Sequence, residues 1–143
     1  MKIKASHVTE NDLYKIAHQY LITKYSFVAY QVPIFNRMVD CVAINSEEAI
    51  IGIEFKLYDW RRGISQVCRN FNSFDYGYLI LLKRANNITI INEASKYGIG
   101  IIFYDQDENK FDEILCGRRN EHKWNPNVCK IKEYISSKKN YEL

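Results

Sequence analysis

Glu54 and Lys56 stand two residues apart in the run Ile50-Ile51-Gly52-Ile53-Glu54-Phe55-Lys56-Leu57. The run is otherwise apolar. It reads as a strand over 49–57, with alternate side chains on opposite faces. Ile51, Ile53, Phe55 and Leu57 share one face; Ile50, Gly52, Glu54 and Lys56 share the other. An acid and a base thus lie on one side, about 7 Å apart along the strand. Charges turned into a sheet are costly unless they pair or bind something. Asp40 is a second isolated acid, set among Met38, Val39, Cys41 and Val42. Two carboxylates side by side repel, and one takes up a proton unless a cation lies between them. Mg²⁺ suits such a place, because it takes oxygen ligands and keeps several waters. Asp40, Glu54 and the Phe55 carbonyl would supply the protein's oxygens, with Mn²⁺ as a substitute metal. Lys56, just beyond, would orient or help deprotonate a water and offset phosphate charge. The chemistry implied is metal-assisted hydrolysis of a phosphodiester.

These residues meet only if the preceding elements are in register. Residues 9–24 read as an amphipathic helix with Leu13, Ile16, Ala17, Tyr20 and Leu21 at helical spacing, opened by a Thr9/Asp12 capping box. Strands follow at 26–32, ending at Pro33, and at 38–44, with a turn at Asn45-Ser46-Glu47-Glu48. Pairing Asp40 with Glu54 and Val42 with Gly52 needs a loop of odd length. A slip of one residue sends the two acids to opposite faces. Residues 61–74 switch to helical period through Ile64, Val67, Cys68, Phe71 and Phe74. A buried strand is predicted at 78–82, a helix at 88–97 ended by Gly98, strands at 99–104 and 111–116, and a helix at 127–138. A hairpin followed by crossovers into parallel strands implies a mixed sheet with helices on both faces.

Asp40, thirteen intervening residues, then Glu54-Phe55-Lys56 resembles the arrangement of the PD-(D/E)xK nucleases. The resemblance spans about residues 9–104 and is nearest to small resolvase-like members. It implies a three-layer α/β/α restriction-endonuclease-like fold, α/β in class, with a central mixed β-sheet and core order αβββαβ. It implies a Mg²⁺-dependent nuclease acting on nucleic acid, DNA ahead of RNA. Gln66 looks like the glutamine that many members carry in the helix after the lysine, where it supports the site. Glu10 matches the acid that some members add to the metal. Asp75-Tyr76-Gly77-Tyr78-Leu79-Ile80 is similar to the strand that follows. Arg61, Arg62 and Arg69, beside Gln66, are candidate phosphate contacts. Homodimers are common among such nucleases. The family's proline is absent, since Val39 precedes Asp40.

Blander explanations compete with each of these readings. Lys56 pairs equally well with Glu54 as a structural ion pair. Gln66, Arg62 and Asn70 would form an ordinary solvated helix face. Glu10 lies in a first helical turn, where the dipole alone favours an acid. A rival to catalysis is an inactive nuclease-fold domain serving as a nucleic-acid-binding or scaffold module, which would have no need of three charges facing its core.

The chain has 143 residues, 47% of them hydrophobic. That is enough for a core without staples, and is read as a single domain with a C-terminal extension over 105–143. The net charge of +3 excludes a binder working by bulk charge. The excess is local: residues 118–143 carry seven Lys or Arg (Arg118, Arg119, Lys123, Lys130, Lys132, Lys138, Lys139) against three Glu. Such a segment would follow a phosphate backbone or merely solubilise. Cys41 and Cys68 read as core residues; Cys116, His122 and Cys129 fit no zinc spacing. His7, His18 and His122 suggest no histidine mechanism. Asp105 to Asn109 reads as a hairpin turn, since Lys110 and Cys116 stand where a calcium loop needs Gly and Glu. Four cysteines with no CxxC pair, the absence of a 20-residue apolar run, and an N-terminus (Met1-Lys2-Ile3-Lys4) without an apolar leader predict a cytoplasmic protein away from the membrane.

Overall fold

The computed structural model describes residues 8–141. Met1–Lys4, His7 and the Lys139 side chain lie outside the described residues. Helix α1 (Glu10–Lys24) opens on the expected box: the Thr9 N–H donates to Asp12 and the Asp12 N–H to Thr9. Strands β1 (Phe27–Ile34), β2 (Arg37–Ile44) and β3 (Ile50–Phe55) form an antiparallel meander. Helix α2 (Trp60–Asn70) crosses to β4 (Tyr76–Leu82), which lies parallel to β3. Helix α3 (Ile88–Tyr97) crosses to β5 (Gly100–Asp105), also parallel; β6 (Lys110–Leu115) returns antiparallel, and α4 (Asn125–Tyr141) closes the chain.

The six strands lie in sequence order in one mixed sheet. Leu13, Ala17 and Leu21 of α1 pack on Ile51, Ile53, Phe55, Ile80 and Ile102 on one face. On the other face α4 covers β1 and β2, while α2 and α3 cover β4 and β5. The protein is therefore α/β, a restriction-endonuclease-like three-layer arrangement with the αβββαβ core order. Among the described residues no helix is long and apolar enough to cross a membrane.

Several boundaries differ from expectation: β3 ends at Phe55 and not at 57, β4 begins at Tyr76 and not at 78, and α4 runs from Asn125 to Tyr141 and not over 127–138. Strand β1 runs through Pro33, which pairs with Met38. An edge strand has one side without a partner, where a missing N–H costs nothing. Helix α2 stops at Asn70 and passes through a tight turn, Phe71–Ser73, so Phe74 is buried in extended backbone instead of on a helical stripe.

Phe74 explains Gly52. A Cβ built on Gly52 would lie 2.0 Å from the Phe74 ring, which is fixed in the core. Overpacking at a site with no room to give costs about 3 kcal/mol. Gly52→Ala is therefore expected to lower the urea midpoint sharply, and Gly52→Ala combined with Phe74→Leu to recover part of the loss.

Candidate active site

The register required by the two acids is the one observed. Cys41 pairs with Ile53, Val42 with Gly52, Ala43 with Ile51 and Ile44 with Ile50. The loop at 45–49 has odd length, and Asn45 holds it: its Oδ1 accepts from Glu47 and Ala49, and its N–H donates to the Ala49 carbonyl.

Strand β2 parts from β3 one rung further on, at Asp40. Up to that rung Val42 and Ile44 face α4, as do Phe27 and Ala29 of β1. Strict alternation would then turn Val39, Val32 and Ile34 toward α1, yet all three join the α4 side. Both strands change phase at the same rung, where Gln31 lies opposite Asp40. Gln31 makes the turn with a left-handed backbone, φ 52°, and drops out of the ladder while its neighbours stay paired. The Asp40 side chain fills the place that the departing strand leaves. Its Oδ2 accepts from the Phe55 N–H at 3.0 Å. In a strand the N–H and C=O of one residue point the same way. The Phe55 carbonyl therefore opens toward Asp40, while Lys56 on the other side donates to Ile80.

Glu54 is buried at 4% exposure. Burial, then hydrogen bonding to Asp40 and its negative charge, push the Glu54 carboxyl well above the usual carboxylate range. Two acids brought together at this strand end, one buried and one half-buried, with a carbonyl beside them, form a donor set suited to a hard divalent cation. Lys56 sits beyond the strand end with its side chain 15% exposed, its stem held close over Gly63 of α2. Its Nζ lies 3.8 Å from Glu10, which reaches over the sheet end from the first turn of α1.

Each remaining candidate has a definite place. Glu10 stays with Lys56, and no three acidic, His or Cys side chains converge as a cation site among the described residues. The expectation that Glu10 adds a ligand finds no geometric counterpart here. Nor is Lys56 in a salt bridge with Glu54; its partner is Glu10. Gln66 lies one turn past Gly63, half-buried, and Asn70 on the same side is buried and bonds back to the Gln66 carbonyl. These two polar residues turn inward, while the arginines beside them face solvent. Arg62 and Arg69 are exposed and share the Gln66 face at i, i+4 and i+7 spacing. Arg61 turns aside, its guanidinium stacked 4.2 Å over Trp60 in a groove of about 360 Å³ between α2 and α3.

The C-terminal cations are more engaged than their count implied. Arg118 donates to the Ser95 and Lys96 carbonyls at the end of α3. Arg119 and Lys123 both pair with Asp75, which also accepts from the Ile50 N–H at 2.8 Å. Burial alone would raise Asp75, but Lys123, the Ile50 N–H and Arg119 together hold it below its ordinary value. Cys41 is buried as expected, Cys68 only half so; Cys116 and Cys129 are exposed, and all four are free.

Two neighbours of Asp40 escaped the sequence reading. Tyr14 stacks on Phe55 with ring centroids 4.3 Å apart, its hydroxyl beside Asp40. Burial, then the Asp40 charge, keep its phenol protonated far above the ordinary tyrosine value. Gln31 donates its amide to the Tyr14 hydroxyl at 3.1 Å. The signal for Tyr14 was its i+4 spacing from Glu10, which puts both on one helix face.

No protein-family model and no curated protein matches the sequence. Among solved structures, a protein of unknown function from Silicibacter pomeroyi superposes with a TM-score of 0.55 at 9% identity, over 78% of this chain and 75% of that one. The likeness is one of fold. A repair endonuclease from Pyrococcus abyssi aligns at a TM-score of 0.49 and 13% identity, over 73% of this chain and 50% of that enzyme.

Proposed function

We propose that the protein is a Mg²⁺-dependent nuclease that hydrolyses phosphodiester bonds, with DNA the preferred substrate. The observation that supports this most is the gap between β2 and β3, where the Asp40 and Glu54 carboxyls meet beside the Phe55 carbonyl. Those three groups would hold the metal, which when bound supplies charge for the phosphate and a more acidic water. Lys56, tethered by Glu10 and pressed over Gly63, would bring its ammonium to the mouth of the gap. There it orients the attacking water and offsets the negative charge that grows on the phosphoryl oxygens. Gln66 supports Lys56 from the adjoining turn of α2. Arg62 and Arg69, on the same helix face, steer the backbone of the substrate.

Asp40→Asn tests the reading cleanly. Its amide oxygen can still accept from the Phe55 N–H, so the strand end keeps its bond while the charge is lost. Wild-type protein should nick plasmid DNA with Mg²⁺ or Mn²⁺ and stop with EDTA. Asp40→Asn should lose about 10³-fold in rate, as expected when transition-state charge stabilisation goes. Wild-type protein that cleaves neither DNA nor RNA with either metal would overturn the proposal.

A further inference from the structure

The geometry points to Gln31 and Tyr14 as positioning residues that aim the Asp40 carboxylate into the gap between β2 and β3. The inference rests on the reading of Asp40 as a metal ligand. Gln31 occupies the rung opposite Asp40, the one place where β1 leaves its ladder. A left-handed backbone is unfavourable for glutamine and costs of order 1 kcal/mol. The turn sends Val32 and Ile34 to the α4 side, but that alone does not call for a glutamine. What the left-handed turn yields is a hydrogen bond from the Gln31 amide to the Tyr14 hydroxyl at 3.1 Å, with that hydroxyl held beside Asp40. Tyr14 is held for that task. Its ring is stacked on Phe55 at 4.3 Å and meets Tyr30 edge-on at 5.9 Å, so the hydroxyl has little freedom. Asp40 has one oxygen fixed by the Phe55 N–H; the phenol approaching from the α1 side then sets the carboxylate plane against Glu54. A glycine at position 31 would take the same backbone at no cost, so glutamine is present for its amide.

The test uses Mn²⁺ alone as the probe, followed by electron paramagnetic resonance titration of the full chain. Wild type, Tyr14→Phe, Gln31→Gly and the double variant are compared, with thermal melts of each in EDTA. Removing a group that orients a metal ligand typically weakens the metal about 10-fold or more. Tyr14→Phe and Gln31→Gly should each do so. The double variant should be little worse than Tyr14→Phe, because both act through one hydroxyl. Gln31→Gly should melt at or above wild type, which separates positioning from a merely structural role. Wild-type Mn²⁺ affinity in both single variants would overturn the inference, whether or not the protein cuts DNA. Weakened Mn²⁺ binding in the variants, with no cleavage by wild type, would uphold it and overturn the nuclease reading. Wild type that takes up no Mn²⁺ would overturn both.

Discussion

Lys56→Ala is expected to lower kcat for DNA cleavage by about 10³-fold, within the range a positioned proton-transfer group contributes, with a change in KM of no more than about threefold. The two parameters separate because Lys56 acts where charge develops. It sits beyond the end of β3, two residues past Glu54 on the same face, and its stem lies against the Gly63 backbone. Arg62 and Arg69 on α2 remain to bind the substrate in the ground state. The fold should tolerate the change. The partner of Lys56 is Glu10, whose side chain is 45% exposed, so the stranded carboxylate returns to water. An exposed pair of that kind is worth about 0–1 kcal/mol. Lys56→Met keeps the stem over Gly63 and should match Lys56→Ala in rate while melting like wild type. Lys56→Arg should not restore full activity. A Cβ on Gly63 would lie only 3.0 Å from the Lys56 Cγ, so a planar fork has little room to turn. Single-turnover assays on a short duplex give kcat and KM apart. Cleavage at the wild-type rate by both Lys56→Ala and Lys56→Met would remove Lys56 from the chemistry.

What was legible in the sequence and what was not follow from the range of the interactions. The alternation of Ile50 to Phe55 and the polar loop after Ile44 are local, and they fix register and faces as far as the Cys41–Ile53 pair, one rung short of Asp40 and Glu54. Gly98 ending α3 at φ 73° and the Asp105 turn are local too; Oδ1 of Asp105 accepts from Asp107 and Glu108. The change of phase at Gln31 is different. Asn, Asp and His favour left-handed backbone, glutamine does not, so no residue type announces it. It becomes visible only when Val32 and Val39 are seen on the side that alternation denies them. Asp75 shows the same limit. It resembled the start of a family strand, yet it anchors Lys123 and Arg119, charges that a count along the chain assigns to a free tail. Counting charge places cations in the sequence; only the fold says which are already neutralised.

The strain between Asp40 and Glu54 makes a prediction about stability without metal. The Glu54 carboxyl titrates above its ordinary value of 4.5 in the folded state, through burial and through Asp40. Below that ordinary value both folded and unfolded chains hold the proton, and its contribution to stability is complete. As pH rises further, the unfolded chain releases the proton first. Stability is then lost progressively, until the folded protein releases it as well. Metal-free protein should therefore become less stable from pH 5 to pH 8. Glu54→Gln should flatten that slope, because its amide donates to Asp40 in place of the proton at every pH. Near pH 7.5 it should exceed wild type by on the order of 2 kcal/mol, the scale of an uncompensated buried charge. Mn²⁺ reverses the ranking. At 100 times its Kd a ligand adds about 2.7 kcal/mol to a protein that binds it, and Glu54→Gln forfeits that gain. Urea unfolding in EDTA and in Mn²⁺, at pH 5, 6.5 and 8, measures all of this at once. A wild-type curve flat with pH, together with a Glu54→Gln variant less stable than wild type in EDTA, would mean that the two acids are not in conflict. The gap would then have no need of a cation. If instead the slope, its loss in Glu54→Gln and its reversal by Mn²⁺ appear together, the instability of the empty pair and the affinity for metal have one origin, two carboxyls held by the fold where only one can be charged alone.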